Sequence, residues 1–174
     1  MNISLCLLLT IPFSLFPFSF AHAQQPAAPR QAPKLAFAER MKQYVQAVGG
    51  TIDQTKSAAN MIVSNTADAR GGKVTIVIVN DQRKNLVGFY IYNFGSLKGA
   101  ANREAVYKYL LATNDEITLG GFFVDSEDDI GYKYLVNASQ PMTQDEFNQV
   151  YLTMAAVARE RRAKIRELLG PEKN

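Results

Sequence analysis

Four carboxylates fall within five positions at Asp125, Glu127, Asp128 and Asp129, inside the stretch FFVDSEDDIGYKY. Oxygen ligands so closely spaced suit a divalent cation, and paired carboxylates suit general acid and base work. A calcium loop of the EF-hand type needs oxygens at positions one, three and five, Gly at six and a bidentate Glu at twelve. Counted from Asp125, Glu127 and Asp129 take positions three and five, but six is Ile130, Gly131 comes one residue late and twelve is Val136. The flanks GFFVD and IGYKYLV have strand rather than helix character. The stretch therefore reads as two strands, Gly121 to Asp125 and Ile130 to Asn137, joined by a polar turn with solvated acids. No metal and no cofactor is expected.

Imidazole and thiol chemistry depend on one residue each. The only Cys, Cys6, and the only His, His22, lie in the opening MNISLCLLLTIPFSLFPFSFAHAQQ. That run has no Asp, Glu, Lys or Arg and closes on Ala21-His22-Ala23, the small-x-small pattern of a signal peptidase site. Residues 1–23 are expected to be a signal peptide cleaved after Ala23, which places the chain in the periplasm or outside the cell. Retention as an anchor is the rival reading; Pro12 and Pro17 interrupt the run and no basic cluster follows it at once. Cleavage removes both residues, and with them disulfides, thiolate nucleophiles, Cys/His zinc sites and His-based acid/base catalysis. The mature chain lacks a Gly-x-Ser-x-Gly, a Ser-x-x-Lys, a phosphate loop and a dinucleotide fingerprint. No catalytic residue is assigned.

The elements that would position any remaining chemistry follow from hydrophobic spacing. Residues 24–34, rich in Pro, Ala and Gln, read as a tether. Residues 35–169 read as one domain and 170–174 as a tail. Ala38, Met41, Val45 and Val48 recur at helical spacing up to a Gly49-Gly50 stop. A short strand is expected around Met61 to Asn65, with a turn at Gly71-Gly72. KVTIVIVN and LVGFYIYNFG then predict an antiparallel hairpin. Asn102 suits the N-cap of a helix carrying Val106, Leu110 and Leu111 on one face and ending at Thr113-Asn114. Thr143-Gln144-Asp145-Glu146 fits a capping box for a last helix with Phe147, Val150, Tyr151, Met154 and Val157 inward and Gly170-Pro171 as its stop. The class is α+β: an antiparallel sheet flanked by helices, in the order α-β-β-β-α-β-β-α.

Two strands carry an unusual number of aromatics. Val87, Phe89 and Ile91 should face the helices, which leaves Gly88, Tyr90, Tyr92 and Phe94 on the other side. On the later strand Ile130, Tyr132, Tyr134 and Val136 share a face. Tyr90, Tyr92, Phe94, Tyr132 and Tyr134 are thus the candidate protein-binding or dimer face. A tyrosine joins a large apolar ring to a hydroxyl that tolerates water, a combination enriched at interfaces.

The run YLLATNDEITLGGFFVDSEDDIGYKY resembles the YbjN family, whose domains have a helix ending in Leu-rich residues and Asn, a Gly-Phe-x-x-Asp strand, a turn and a partner strand. The matching positions are Leu110, Leu111, Asn114, Gly121 (or Gly120), Phe122 and Asp125, and the resemblance covers roughly residues 35–158. It implies a fold similar to type III secretion chaperones, often dimeric, binding other proteins and without a known catalytic centre. Those proteins act in the cytoplasm, and the chaperones are acidic. This chain reads as exported, with a formal net charge of +3.

The function expected is an exported, non-catalytic module that binds a protein or peptide, in a chaperone-like or regulatory role, with a homodimer as a further option. Two other classes stay open. One is a hydrolase working with paired carboxylates. The other is an envelope-surface protein that touches anionic lipid through the basic helix end ARERRAKIRE, with Arg159, Arg161, Arg162, Lys164 and Arg166. A solvated helix C-terminus, where cations complement the macrodipole, accounts for the same residues. Nucleic acid is not expected as a partner, and membrane contact is expected only through the transient signal segment.

Overall fold

Ala38, Met41 and Val45 bury one stripe of a first helix, α1 (Phe37–Ala47), and Gly49 stops it in the left-handed conformation that a Cβ disfavours (φ 76°). The computed structural model describes residues 35–67 and 72–171. The expected signal peptide, the 24–34 tether, Gly71 of the Gly71-Gly72 turn and the last three residues of the tail lie outside the described residues. The chain continues through β1 (Thr51–Ile52), β2 (Met61–Ala67), β3 (Lys73–Asp81) and β4 (Leu86–Ile91). It then forms α2 (Arg103–Glu116), β5 (Gly121–Val124), β6 (Ile130–Asn137) and α3 (Gln144–Leu169). The expected element order is present, with one addition. Thr51 and Ile52 pair with Asn65 and Ser64 as a two-residue edge strand, too short to leave a periodic signal in the sequence.

All six strands form one antiparallel sheet in the order β1-β2-β3-β4-β6-β5. The hairpin of β5 and β6 is inserted so that β6 pairs with β4 and β5 takes the edge. One sheet face is the core: Ile62, Val74, Ile76, Ile78, Val87, Phe89, Ile91 and Ile130 pack against buried residues of all three helices. Phe147 of α3 is its hub, with ring centroids 5.4 Å from Tyr44, 5.8 Å from Phe89 and 5.3 Å from Tyr151. Among the described residues no helix is long and apolar enough to cross a membrane.

Both expected caps form. The Asn102 side chain accepts from the Ala105 amide, and at α3 the Thr143 hydroxyl accepts from the Glu146 amide while the Glu146 carboxylate accepts from the Thr143 amide. α2 differs from expectation in two ways. It runs on to Glu116, and its buried stripe is Val106, Leu110 and Thr113, at steps of four and three residues. Leu111 lies about 100° around the helix from Leu110 and is 70% exposed.

The basic end of α3 is not a uniform stripe. Arg161 pairs with Glu116 at 3.3 Å, Lys164 with Glu167 at 2.7 Å, and Arg162 donates to the Lys73 carbonyl and lies over the Phe94 ring. Arg159 and Arg166 stay exposed.

Candidate functional site

Strand alternation sends every second side chain to the face away from the helices. On an antiparallel sheet with one solvated face those positions are ordinarily polar. Here they include Val77 and Val79 of β3, Leu86 and Tyr90 of β4, Phe123 of β5 and Leu135 of β6, beside the polar Asn65, Thr75, Asp81, Lys133 and Asn137. Register aligns them in rows: Val77 opposite Tyr90 and Tyr90 opposite Lys133, then Val79 opposite Gly88 and Gly88 opposite Leu135.

Two glycines let rings lie close over the backbone. A Cβ at Gly88 would stand 2.5 Å from the Tyr90 ring, and one at Gly131 would stand 2.4 Å from the Phe123 ring. Tyr90 and Tyr92 stack at 6.2 Å between centroids with 12° between planes, and Tyr92 meets the edge of Phe123 at 6.0 Å. The Lys133 ammonium sits 5.0 Å from the Phe123 centroid, a cation–π contact. Partial burial, then Tyr90 and Asp125, pushes the Tyr92 phenol above its ordinary value, so it is a neutral hydroxyl near pH 7. Beside this ladder lies a depression of about 520 Å³ lined by Val79, Leu86, Gly88, Tyr90 and Leu135 and walled by the β3–β4 turn with Arg83 and Lys84. Tyr92 and Leu135 are 44% and 43% exposed, so both present apolar surface to solvent without a covering element.

Of the five aromatics expected on one binding face, the structure brings together two. Tyr90 and Tyr92 are on the open face. Phe94 is not, because Asn93 takes φ 75° and breaks the two-residue alternation, turning Phe94 into the core at 0% exposure. Tyr132 and Tyr134 belong to the opposite, helix-covered face. The register sets Tyr132 against Ile91 and Phe122, and Tyr134 against Phe89, all three of them core residues. Phe123, Lys133 and Leu135 are among the open-face residues that the sequence reading did not select. Their signal was the other phase of the same alternation, which becomes decisive only once the partner strand is known.

Tyr132 is buried against Phe122, and its hydroxyl donates to the Leu119 carbonyl. Burial pushes its phenol up to about 12. The folded chain thus keeps a proton that an unfolded chain releases near pH 10. That contribution to stability is full below about pH 10 and is lost as pH rises through about 12. Alkaline unfolding followed by circular dichroism is expected to be less steep over this window in Tyr132→Phe than in the parent.

Comparison with known proteins places the chain. Residues 38–160 match the profile of YbjN, described as "putative bacterial sensory transduction regulator", and this span exceeds half of the chain. The chain belongs to the YbjN family. It is also similar to a solved structure described as "YbjN, a putative transcription regulator from E. coli", at 18% identity over 76% of this chain and 95% of that one, with a TM-score of 0.49. No curated protein matches the chain.

The YbjN motif residues serve as a staple rather than as part of the open face. Leu110 is buried under α2. Four residues on, the Asn114 amide accepts from the Phe122 N–H at 2.7 Å and donates to the Phe122 carbonyl at 3.1 Å, satisfying both backbone groups of an edge strand. Gly121 lies beside Asn114, and the Phe122 ring packs in the core between Phe94 and Tyr132, each 5.0 Å away. Asp125 closes the turn, its Oδ1 accepting from the Glu127 and Asp129 amides at 2.9 Å. Of the other turn acids, Asp128 makes a two-pronged pair with Arg103 at 2.8 and 2.9 Å, which holds its carboxyl below the usual range. Asn114→Ala leaves the two Phe122 groups unpaired and is expected to cost about 1–3 kcal/mol in urea unfolding. A loss within error would show that water replaces the amide.

Proposed function

We propose that this YbjN-family chain is an exported, non-catalytic binding module, trimmed after Ala23, that recognises a protein segment on the open face of its sheet. The observation that carries the reading is the Tyr90–Tyr92–Phe123 ladder with Leu135, aromatic and aliphatic surface left uncovered where a solvated sheet is ordinarily polar. Tyr and Phe supply contact area with few rotatable bonds, which suits the centre of an interface. Arg83 and Lys133 border this surface as its cations, while Lys84 and Asp81 offset each other at 3.7 Å. The partner segment is therefore apolar with acidic residues.

Two further facts support recognition over hydrolysis. Of the four acids of the 125–129 turn, Asp125 is engaged in turn hydrogen bonds and Asp128 in an ion pair with Arg103. The family description is that of a regulator. The test is capture of partners from the cell envelope by the parent, by Tyr92→Ser/Leu135→Ser on the open face, and by Leu111→Ser/Leu152→Ser on the exposed helical side. Partners that vanish only in the first variant support the reading; partners that survive it and vanish in the second move the site to the helices.

A further inference from the structure

A second surface, independent of the sheet face, has the composition of a ligand site. Between the 93–100 loop and the C-terminal end of α3 lies a cleft of about 670 Å³, within the range of small-molecule pockets. Its cations are Lys98 and Arg166, both exposed, and among the described residues its lining contains no carboxylate. Among the described residues neither cation forms a salt bridge. Asp128, the acid whose field includes Lys98, is already taken by the two-pronged Arg103 pair. Elsewhere on α3 the cations Arg161 and Lys164 are matched by glutamates and the exposed Arg159 lies outside the cleft, which leaves Arg166 as the exposed guanidinium of α3 that lines it.

The rest of the lining completes the chemistry. Gly95 and Gly99 bring bare backbone to the cleft, and the Ser96 hydroxyl shapes the loop, accepting from the Lys98 amide at 3.2 Å and donating to the Asp128 carbonyl at 3.3 Å. Leu169, packed over Gly95, supplies an apolar wall. A planar guanidinium grips two oxygens of a carboxylate or phosphate at once, and an ammonium adds a point charge beside it.

We propose that this cleft binds a small oxyanion, a phosphate ester or carboxylate with an apolar part, held by Lys98 and Arg166 with its carbon skeleton on Leu169. The same head group occurs free or on an anionic lipid, and the experiment separates the two. The full chain is titrated with glycerol 3-phosphate, phenyl phosphate and citrate while the Gly95 and Gly99 amide resonances are followed. In parallel it is sedimented with phosphatidylcholine vesicles with and without phosphatidylglycerol. Saturable shifts or vesicle retention are expected, weakened at least about tenfold in Lys98→Ala/Arg166→Ala and unchanged in Arg159→Ala, whose side chain is exposed on the same helix outside the cleft. Binding to the free compounds identifies a soluble ligand; binding confined to the anionic vesicles identifies a head group. Absence of both, or equal loss in Arg159→Ala, overturns the site. The double variant changes only exposed side chains, and an unchanged circular dichroism spectrum with unchanged sheet-face capture keeps this result separate from the first proposal.

Discussion

Tyr132→Ala is expected to cost about 3–5 kcal/mol of unfolding free energy, the range for deleting a fully buried aromatic ring. The residue has 0% exposure, its ring lies 5.0 Å from Phe122, and its hydroxyl satisfies the Leu119 carbonyl just before the β5 edge. Removing it opens a cavity under the β5–β6 hairpin and orphans that carbonyl at the same time. Tyr92→Ala, two positions after Tyr90 on the other face, forfeits only a stacking and an edge contact and is expected to cost about 1 kcal/mol or less. Urea unfolding of both variants measures the contrast. Similar losses would mean that the two tyrosines share an environment, contrary to the register of β4 and β6.

Tyr92→Ser/Leu135→Ser carries the second large effect, on binding instead of folding. A central aromatic anchor is worth about 2 kcal/mol or more and a flanking aliphatic one about 1 kcal/mol. Together they amount to a loss of affinity on the order of a hundredfold. Both side chains are more than two-fifths exposed, so the folded state stays intact. A titration of the captured partner against parent and variant, with urea unfolding alongside, reads the two quantities separately. A hundredfold loss with a loss of stability of no more than about 1–2 kcal/mol, which leaves the chain folded, is expected; a loss that merely follows unfolding would remove the face from consideration.

The sequence disclosed the elements better than their faces. The α1 stripe, the β3–β4 hairpin, the Asn102 cap and the Thr143 capping box are local devices, written within a few residues, and each stands as read. The helix-ward set Val87, Phe89 and Ile91 was legible too, because its purely apolar phase contrasts with its neighbours. β6 offered a weaker contrast, with Ile130, Tyr132, Tyr134 and Val136 in one phase and Gly131, Lys133, Leu135 and Asn137 in the other, because its two tyrosines suit either a buried or a solvated side. Which phase is buried depends on pairing with β4, a contact between residues 41 to 51 positions apart in the chain that local spacing does not encode. Phe94 failed for a smaller reason: one left-handed Asn93 resets the alternation. The candidate site accordingly kept Tyr90 and Tyr92, lost three aromatics to the core side and gained Phe123, Lys133 and Leu135.

The fate of the acidic turn follows the same logic. Its spacing failed the calcium-loop pattern and read as a polar turn, and in the fold Asp125 and Asp128 are occupied by the amides and the arginine that shape that turn. Short acids in turns commonly serve the backbone in this way. Chemistry was legible there only as a residue type, and the local hydrogen bonds decided its use.

The most direct test of recognition on the open sheet face is site-specific photo-crosslinking in the living envelope. A benzophenone amino acid replaces Tyr92 in one strain and Leu111, on the exposed side of α2, in another. A discrete adduct at position 92, weakened by Leu135→Ser and missing at position 111, is the expected result. Adducts at position 111 with none at 92 would contradict the account.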